Sequence, residues 1–181
     1  MTPPSTFRLV LAALFTALIV AGSYLAIPFI PVPLVLANFF TLLAGLLLGP
    51  LYGSAAVLLY LALGALGLPV FAGGSGGFGQ FASPTGGFLL GYLLSALVAG
   101  LVAHGWRRGG ARPGLARLAL AAALGVAALY GLGLPWLRMV LAAKVPTLWA
   151  AFLLMAPYLV GDLVKAAAAT LLSRKLQTLL P

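Results

Sequence analysis

Two residues of this 181-residue chain stand apart chemically: Asp162 and Lys165 lie inside a long apolar run rather than beside one. Charge at hydrocarbon depth is costly, and where it occurs it usually faces a cavity and marks a path for a substrate or ion. A spacing of three puts both side chains on one face of a helix, within reach of each other. Two readings follow. In one, the pair neutralises itself and only fixes helix packing, although well-packed apolar residues would often do as well. In the other, Asp162 supplies acceptors and Lys165 supplies donors to a small zwitterion-like or urea-like group, or to a carboxylate.

Other chemistries are short of residues. Asp162 is the sole carboxylate side chain, which excludes the paired acids of glycosidases and the acid clusters of two-metal phosphotransferases. It also argues against a multi-residue proton relay. Cysteine is absent, so there is no thiol catalysis and no Cys-based metal site. The single histidine, His104, stands beside Trp106, Arg107 and Arg108. It is expected to be a solvated interface residue at the opposite end from Asp162, so a Ser-His-Asp triad cannot assemble. No G-x-x-x-x-G-K-[ST] string occurs, so uphill movement of a solute would need an outside source of energy. Neither metal nor cofactor is expected.

A second constellation is the uncharged segment 67–83, which includes Phe71, Gly73, Gly74, Ser75, Phe78 and Gln80, followed by Thr85-Gly86-Gly87-Phe88. Glycines allow backbone to approach a ligand closely, and irregular backbone at membrane depth is tolerated where protein buries it or it lines a cavity. The bland alternative is a flexible extramembrane loop. The aromatics, Gln80 and Thr85 favour a lid over an apolar ligand. A third feature is Ala13, Ala17 and Ala21, small residues four apart on which another helix can lie closely. In so alanine-rich a chain, internal packing explains the stripe as well as docking does.

The elements that must hold these residues follow from composition. With 64% hydrophobic residues and 6% charged, the chain lacks the polar surface of a soluble domain, in which about a quarter of residues are charged. It reads as an integral membrane protein. The net charge of +9 sits between apolar stretches, without the aromatic and basic stripe of a nucleic-acid binder; it suits orientation in a bilayer and anionic lipid head groups instead.

A span needs about 20 apolar residues, and the sequence divides into six, at 7–27, 34–48, 51–66, 85–103, 115–134 and 148–172. Pro28, Pro31 and Pro33 end the first, and Gly49-Pro50 turns between the second and third, which could alternatively form one re-entrant hairpin. With both termini cytoplasmic, Arg8, Arg107, Arg108, Arg112, Arg117, Arg174 and Lys175 fall inside, and only Arg138 and Lys144 outside. That is the expected bias. The reading is an all-α membrane protein, one compact six-helix domain over 1–181, with span one an uncleaved anchor.

Three strings carry a resemblance: 43–50 (Leu43 to Pro50), 59–74 (Leu59 to Gly74) and 84–92 (Pro84 to Tyr92). Together with 157–165, which contains Asp162 and Lys165, they closely resemble the BioY family of biotin-binding substrate-specificity (S) components of energy-coupling-factor (ECF) transporters. The resemblance implies a six-helix bundle in a bacterial or archaeal cytoplasmic membrane that captures biotin from outside. It also implies delivery with a transmembrane coupling protein and two cytoplasmic ATPases, which would supply the missing energy. By the same resemblance, Asp162 and Lys165 contribute to the biotin site. Gly73, Gly74 and Gln80, with Thr85, Gly86, Gly87, Phe88 and Tyr92, border it, and Ala13, Ala17 and Ala21 become a docking surface for the coupling subunit.

Two departures stand out. Where many relatives carry Gln-Thr after the Pro-x-Pro turn, this chain has Ala37-Asn38, so a polar contact there is lost or moves to Asn38. The usual Tyr after Thr-Gly-Gly is Phe88, which removes a hydroxyl. Biotin suits the residues physically, with an apolar body and a few polar groups to be met by placed donors and acceptors. Alternatives from other classes are a self-sufficient channel or facilitator, an intramembrane enzyme and a purely structural subunit.

Overall fold

A computed structural model of the chain describes residues 5–27, 30–105 and 112–178. Its apolar runs form five long helices, α1 (Ser5–Tyr24), α2 (Ala37–Ala65), α3 (Gly86–His104), α4 (Leu115–Val140) and α5 (Leu148–Leu176). Each contains a stretch long and apolar enough to cross a membrane. Among the described residues the architecture is all-α apart from one short ladder.

The runs expected at 34–48 and 51–66 share the single element α2, which is sharply bent. Gly49 leaves the helical region at φ 77° and ψ −176°, a left-handed φ that favours glycine. In a straight helix, residues eight apart are separated by about 12 Å along the axis. Here a Cβ added to Gly53 would lie 2.8 Å from the Gly45 Cα. The two arms of α2 therefore fold back on each other. Both open ends lie beside the same turn of α1, since a Cβ on Gly22 would meet the Ala37 nitrogen at 2.9 Å and Ser23 Oγ lies 2.8 Å from the Tyr60 hydroxyl.

The proline segment does more than end α1. Residues preceding proline are pushed into extended conformations, and Ala26–Ile27 (β1) pairs antiparallel with Leu34–Val35 (β2), Ala26 opposite Val35. The expected spans 7–27 and 34–48 thus surrender their adjoining ends to this ladder. Beyond its expected end at 134, α4 continues through Pro135 to Val140.

At the bend, Pro50 has no N–H to offer the Leu46 carbonyl. His104 Nε2 lies 2.6 Å from that oxygen, and Gln177 Nε2 donates to it at 3.4 Å. His104 is therefore half-buried and bonded to the bend, not a freely solvated interface residue. Its neighbours Arg107 and Arg108 lie outside the described residues. Arg8 lies over the Tyr52 ring near the bend, 5.7 Å from its centroid, and Arg117 donates to the Val102 carbonyl at 2.7 Å. Arg138 is at the other end, donating to the Pro146 carbonyl at 3.2 Å.

Close helix contacts complete the bundle. A Cβ on Gly45 would lie 2.4 Å from the Ala96 oxygen, and one on Gly100 would lie 2.5 Å from the Pro50 nitrogen. Since neither neighbour is a flexible side chain, Gly45→Ala should cost about 1–3 kcal/mol by overpacking. Gly131 of α4 meets nothing within 4 Å, and Gly131→Ala should hold or raise stability by up to about 1 kcal/mol. Thermal unfolding of the two variants in detergent checks the contrast.

Candidate functional site

The site is built on one stripe of α5. Met155, Tyr158, Asp162 and Lys165 recur at spacings of three, four and three, which keeps them on a single helical face. Asp162 is 6% exposed. Its Oδ1 accepts from Lys165 Nζ at 3.0 Å and from Asn38 Nδ2 at 2.6 Å. Its Oδ2 accepts from the Tyr130 hydroxyl at 2.8 Å. Three helices thus converge on one carboxylate: Asn38 from the first turn of α2, Tyr130 from α4, and α5 itself.

Lys165 is equally occupied. An ammonium has three protons, and Nζ donates to Asp162, to Asn38 Oδ1 at 3.0 Å and to the Val35 carbonyl at 2.7 Å. The Asn38 side chain bridges the pair, donating to the anion and accepting from the cation. Tyr158 donates to the Val32 carbonyl at 2.7 Å, so α5 holds the segment containing β2 at two carbonyls.

One compartment opens from this network and a second adjoins it. The first encloses about 350 Å³, counting the part that opens outward, and has Asn38, Tyr130, Tyr158, Asp162 and Lys165 among its walls. The second, about 640 Å³ on the same count, is walled by Tyr60, Phe71, Ser75, Gln80, Thr85 and Leu89, among others. Val32, Pro33, Val35, Phe88 and Tyr92 line both and join them. One end is ionic but internally neutral, the waist is apolar and aromatic, and the far end is polar and uncharged.

The glycine-rich segment covering the second compartment is ordered. Phe71 pairs with Ser75 through the backbone at 2.9 Å, and the Gly77 amide donates to the Gly64 carbonyl at 2.7 Å. The Phe71 ring stands edge-on to Tyr60 and Phe81. A Cβ on Gly64 would overlap that ring, 2.0 Å from its Cζ, so the glycine is the ring's seat. The Tyr24 hydroxyl donates to the Pro69 carbonyl and anchors the segment to α1.

Of the residues singled out in the sequence, Asp162, Lys165, Asn38, Phe88 and Tyr92 meet at the first compartment, and Gln80 and Thr85 join Phe88 and Tyr92 at the second. Gly73 and Gly74 lie in the 3₁₀ turn Ala72–Gly74, beside the lining residue Ala72. Gly86 and Gly87 are buried where helices touch: Cβ atoms there would meet the Phe81 oxygen at 2.0 Å and Trp136 Cβ at 2.2 Å. They line neither compartment and act by letting α3 approach its neighbours. Ala13, Ala17 and Ala21 are exposed along α1, away from the cavity. Sequence reasoning missed Tyr130, Tyr158 and the backbone of 32–35. The stripe through 155, 158, 162 and 165 was a readable signal for Tyr158, whereas nothing local marks Tyr130.

Replacing Asn38 removes the bridge from both charges at once. Interhelical hydrogen bonds in membranes contribute about 0.6 kcal/mol on average. Asn38→Leu should therefore lower the stability of the ligand-free protein by roughly 1–2 kcal/mol, seen as a lower thermal midpoint in detergent.

Residues 1–181 match the BioY family. The chain is 42% identical over 179 residues to the biotin transporter BioY of Rhodobacter capsulatus, covering 91% of this chain and 90% of that one. It is 41% identical over 182 residues to the biotin transporter BioY of Rhizobium etli, covering 94% and 92%. Its fold is similar to the crystal structure of the S-component for biotin from an ECF-type ABC transporter, with a TM-score of 0.84, 30% identity, and coverage of 96% of this chain and 92% of that one. The cavity, the multi-pass helices and these likenesses agree: this chain belongs to the BioY family.

Proposed function

We propose that this chain captures biotin outside the cell and serves as the substrate-specificity subunit for its uptake by an ECF-type transporter. The observation that carries the reading is the Asp162–Asn38–Lys165 network at the head of an aromatic cavity. Biotin's ureido group bears two N–H donors and one acceptor, and its thiophane ring and aliphatic tail are apolar. The acceptor site left on Asp162 suits one of the two ureido N–H groups, the second proton of the Asn38 amide suits the ureido oxygen, and Phe88 and Tyr92 flank the apolar body. Gln80 and Thr85 supply uncharged polar contacts further along, with Gly73 and Gly74 beside them. Gly86 and Gly87 fix the mouth of α3.

In this reading the two arms of α2 cross the bilayer separately. The chain is then a single domain of six spans, with both termini and the bend at Gly49 on the cytoplasmic side and the cavity facing out. The segregation of Arg8 and Arg117 from Arg138 supports that orientation through the positive-inside rule. Energy comes from a coupling protein and two ATPases, and the exposed Ala13, Ala17 and Ala21 stripe is where the coupling protein lies close.

Asp162→Asn and Lys165→Ala should each weaken biotin binding by roughly 10–100-fold, the first by removing the charged acceptor and the second by removing the cation that neutralises and positions it. Calorimetry on purified protein measures this, and unchanged affinity in both variants would remove the site assignment. Saturable tight binding also separates a capture subunit from a channel. Ala17→Trp should leave biotin binding intact while reducing uptake by cells carrying the whole transporter. Unimpaired uptake would remove the stripe from the docking surface.

A further inference from the structure

The two ends of the cavity differ in what they can recognise. At the first end the formal charges cancel, and all three protons of Lys165 are already donated to Val35, Asn38 and Asp162. A ligand carboxylate there would face the Asp162 carboxylate with no disengaged cationic donor to offset the repulsion. A neutral group with N–H donors meets no such conflict, because a carboxylate has about four lone-pair sites and Asp162 accepts three protein hydrogen bonds.

The second compartment is polar, but no cation lines it among the described residues. Tyr60, Ser75, Gln80, Thr85 and Tyr92 are its hydrogen-bonding side chains. Among the described residues, neither the Gln80 side-chain amide nor the Tyr92 hydroxyl makes a hydrogen bond. Such neutral donors bond a carboxylate more strongly than an amide or ester carbonyl, but a carboxylate taken from water without a cation also gives up more solvation, so the two effects offset. A partner of opposite charge, which would offset that lost solvation, is what would favour the carboxylate strongly.

We infer that this cavity selects its ligand by the ureido end and is indifferent to charge at the tail, so that biotin derivatives with an amidated or esterified carboxyl are also ligands of this chain. The inference rests on the biotin reading above and sharpens it, since it assigns the ureido group to Asp162 and the tail to the compartment holding Gln80 and Tyr92.

The experiment is competition calorimetry on the purified full chain with biotin, biotinamide, biotin methyl ester and diaminobiotin, whose ureido ring is opened. The expected result is that the amide and ester bind within about tenfold of biotin, while diaminobiotin loses more than about tenfold, the span between neutral and charge-assisted hydrogen bonding. A loss of more than tenfold on capping the acid, or a smaller loss for diaminobiotin, overturns the inference and leaves biotin capture standing. Failure of biotin itself to bind ends both readings.

Discussion

The central constraint is a carboxylate withdrawn from water. An isolated anion in a medium of low dielectric constant is prohibitively unstable, so Asp162 dictates what surrounds it: Lys165 on its own helix, Asn38 at the start of α2 and Tyr130 on α4. Because these come from distant points in the chain, satisfying one charge fixes the relative rotation of three helices. The same network reaches β2 through the Val35 carbonyl, and the Tyr158 bond to Val32 repeats the attachment. The wall of the cavity and the neutralisation of its charge are therefore one arrangement.

Such placement requires helices that approach closely, and in a membrane small residues make that possible. Gly45 and Gly53 let the arms of α2 touch, and Gly100 admits the bend against α3. Gly87 and Gly91 let α3 lie against Trp136 and Leu129 of α4. At the bend Pro50 cannot donate to the Leu46 carbonyl, and His104 and Gln177 meet that oxygen instead.

Much of this was legible from residue order. Apolar length located the helices, and the isolation of Asp162 and Lys165 within α5 located the ionic end of the cavity. The departure at Ala37-Asn38 pointed to Asn38, which bridges the pair. What escaped was long-range or backbone in nature. Tyr130 lies 32 residues from Asp162 in sequence, and no local pattern encodes that meeting. The carbonyls of Val32 and Val35 are acceptors whatever their side chains, so their role depends on the β1–β2 ladder. Gly86 and Gly87 read as ligand-facing because close approach to a ligand and close approach to a helix demand the same missing Cβ. Only the positions of Phe81 and Trp136 separate the two.

One consequence of the self-contained Asp162–Lys165 pair is electrical. A unit charge carried through a potential of 100 mV exchanges about 2.3 kcal/mol with the field. The pair sums to zero, so the field exerts torque on it as a dipole but no net pull. Displacing this polar centre along the membrane normal would therefore neither work against the membrane voltage nor draw on it. The net charge of +9 lies wholly in the other nine cations, at the ends of the spans rather than in this centre.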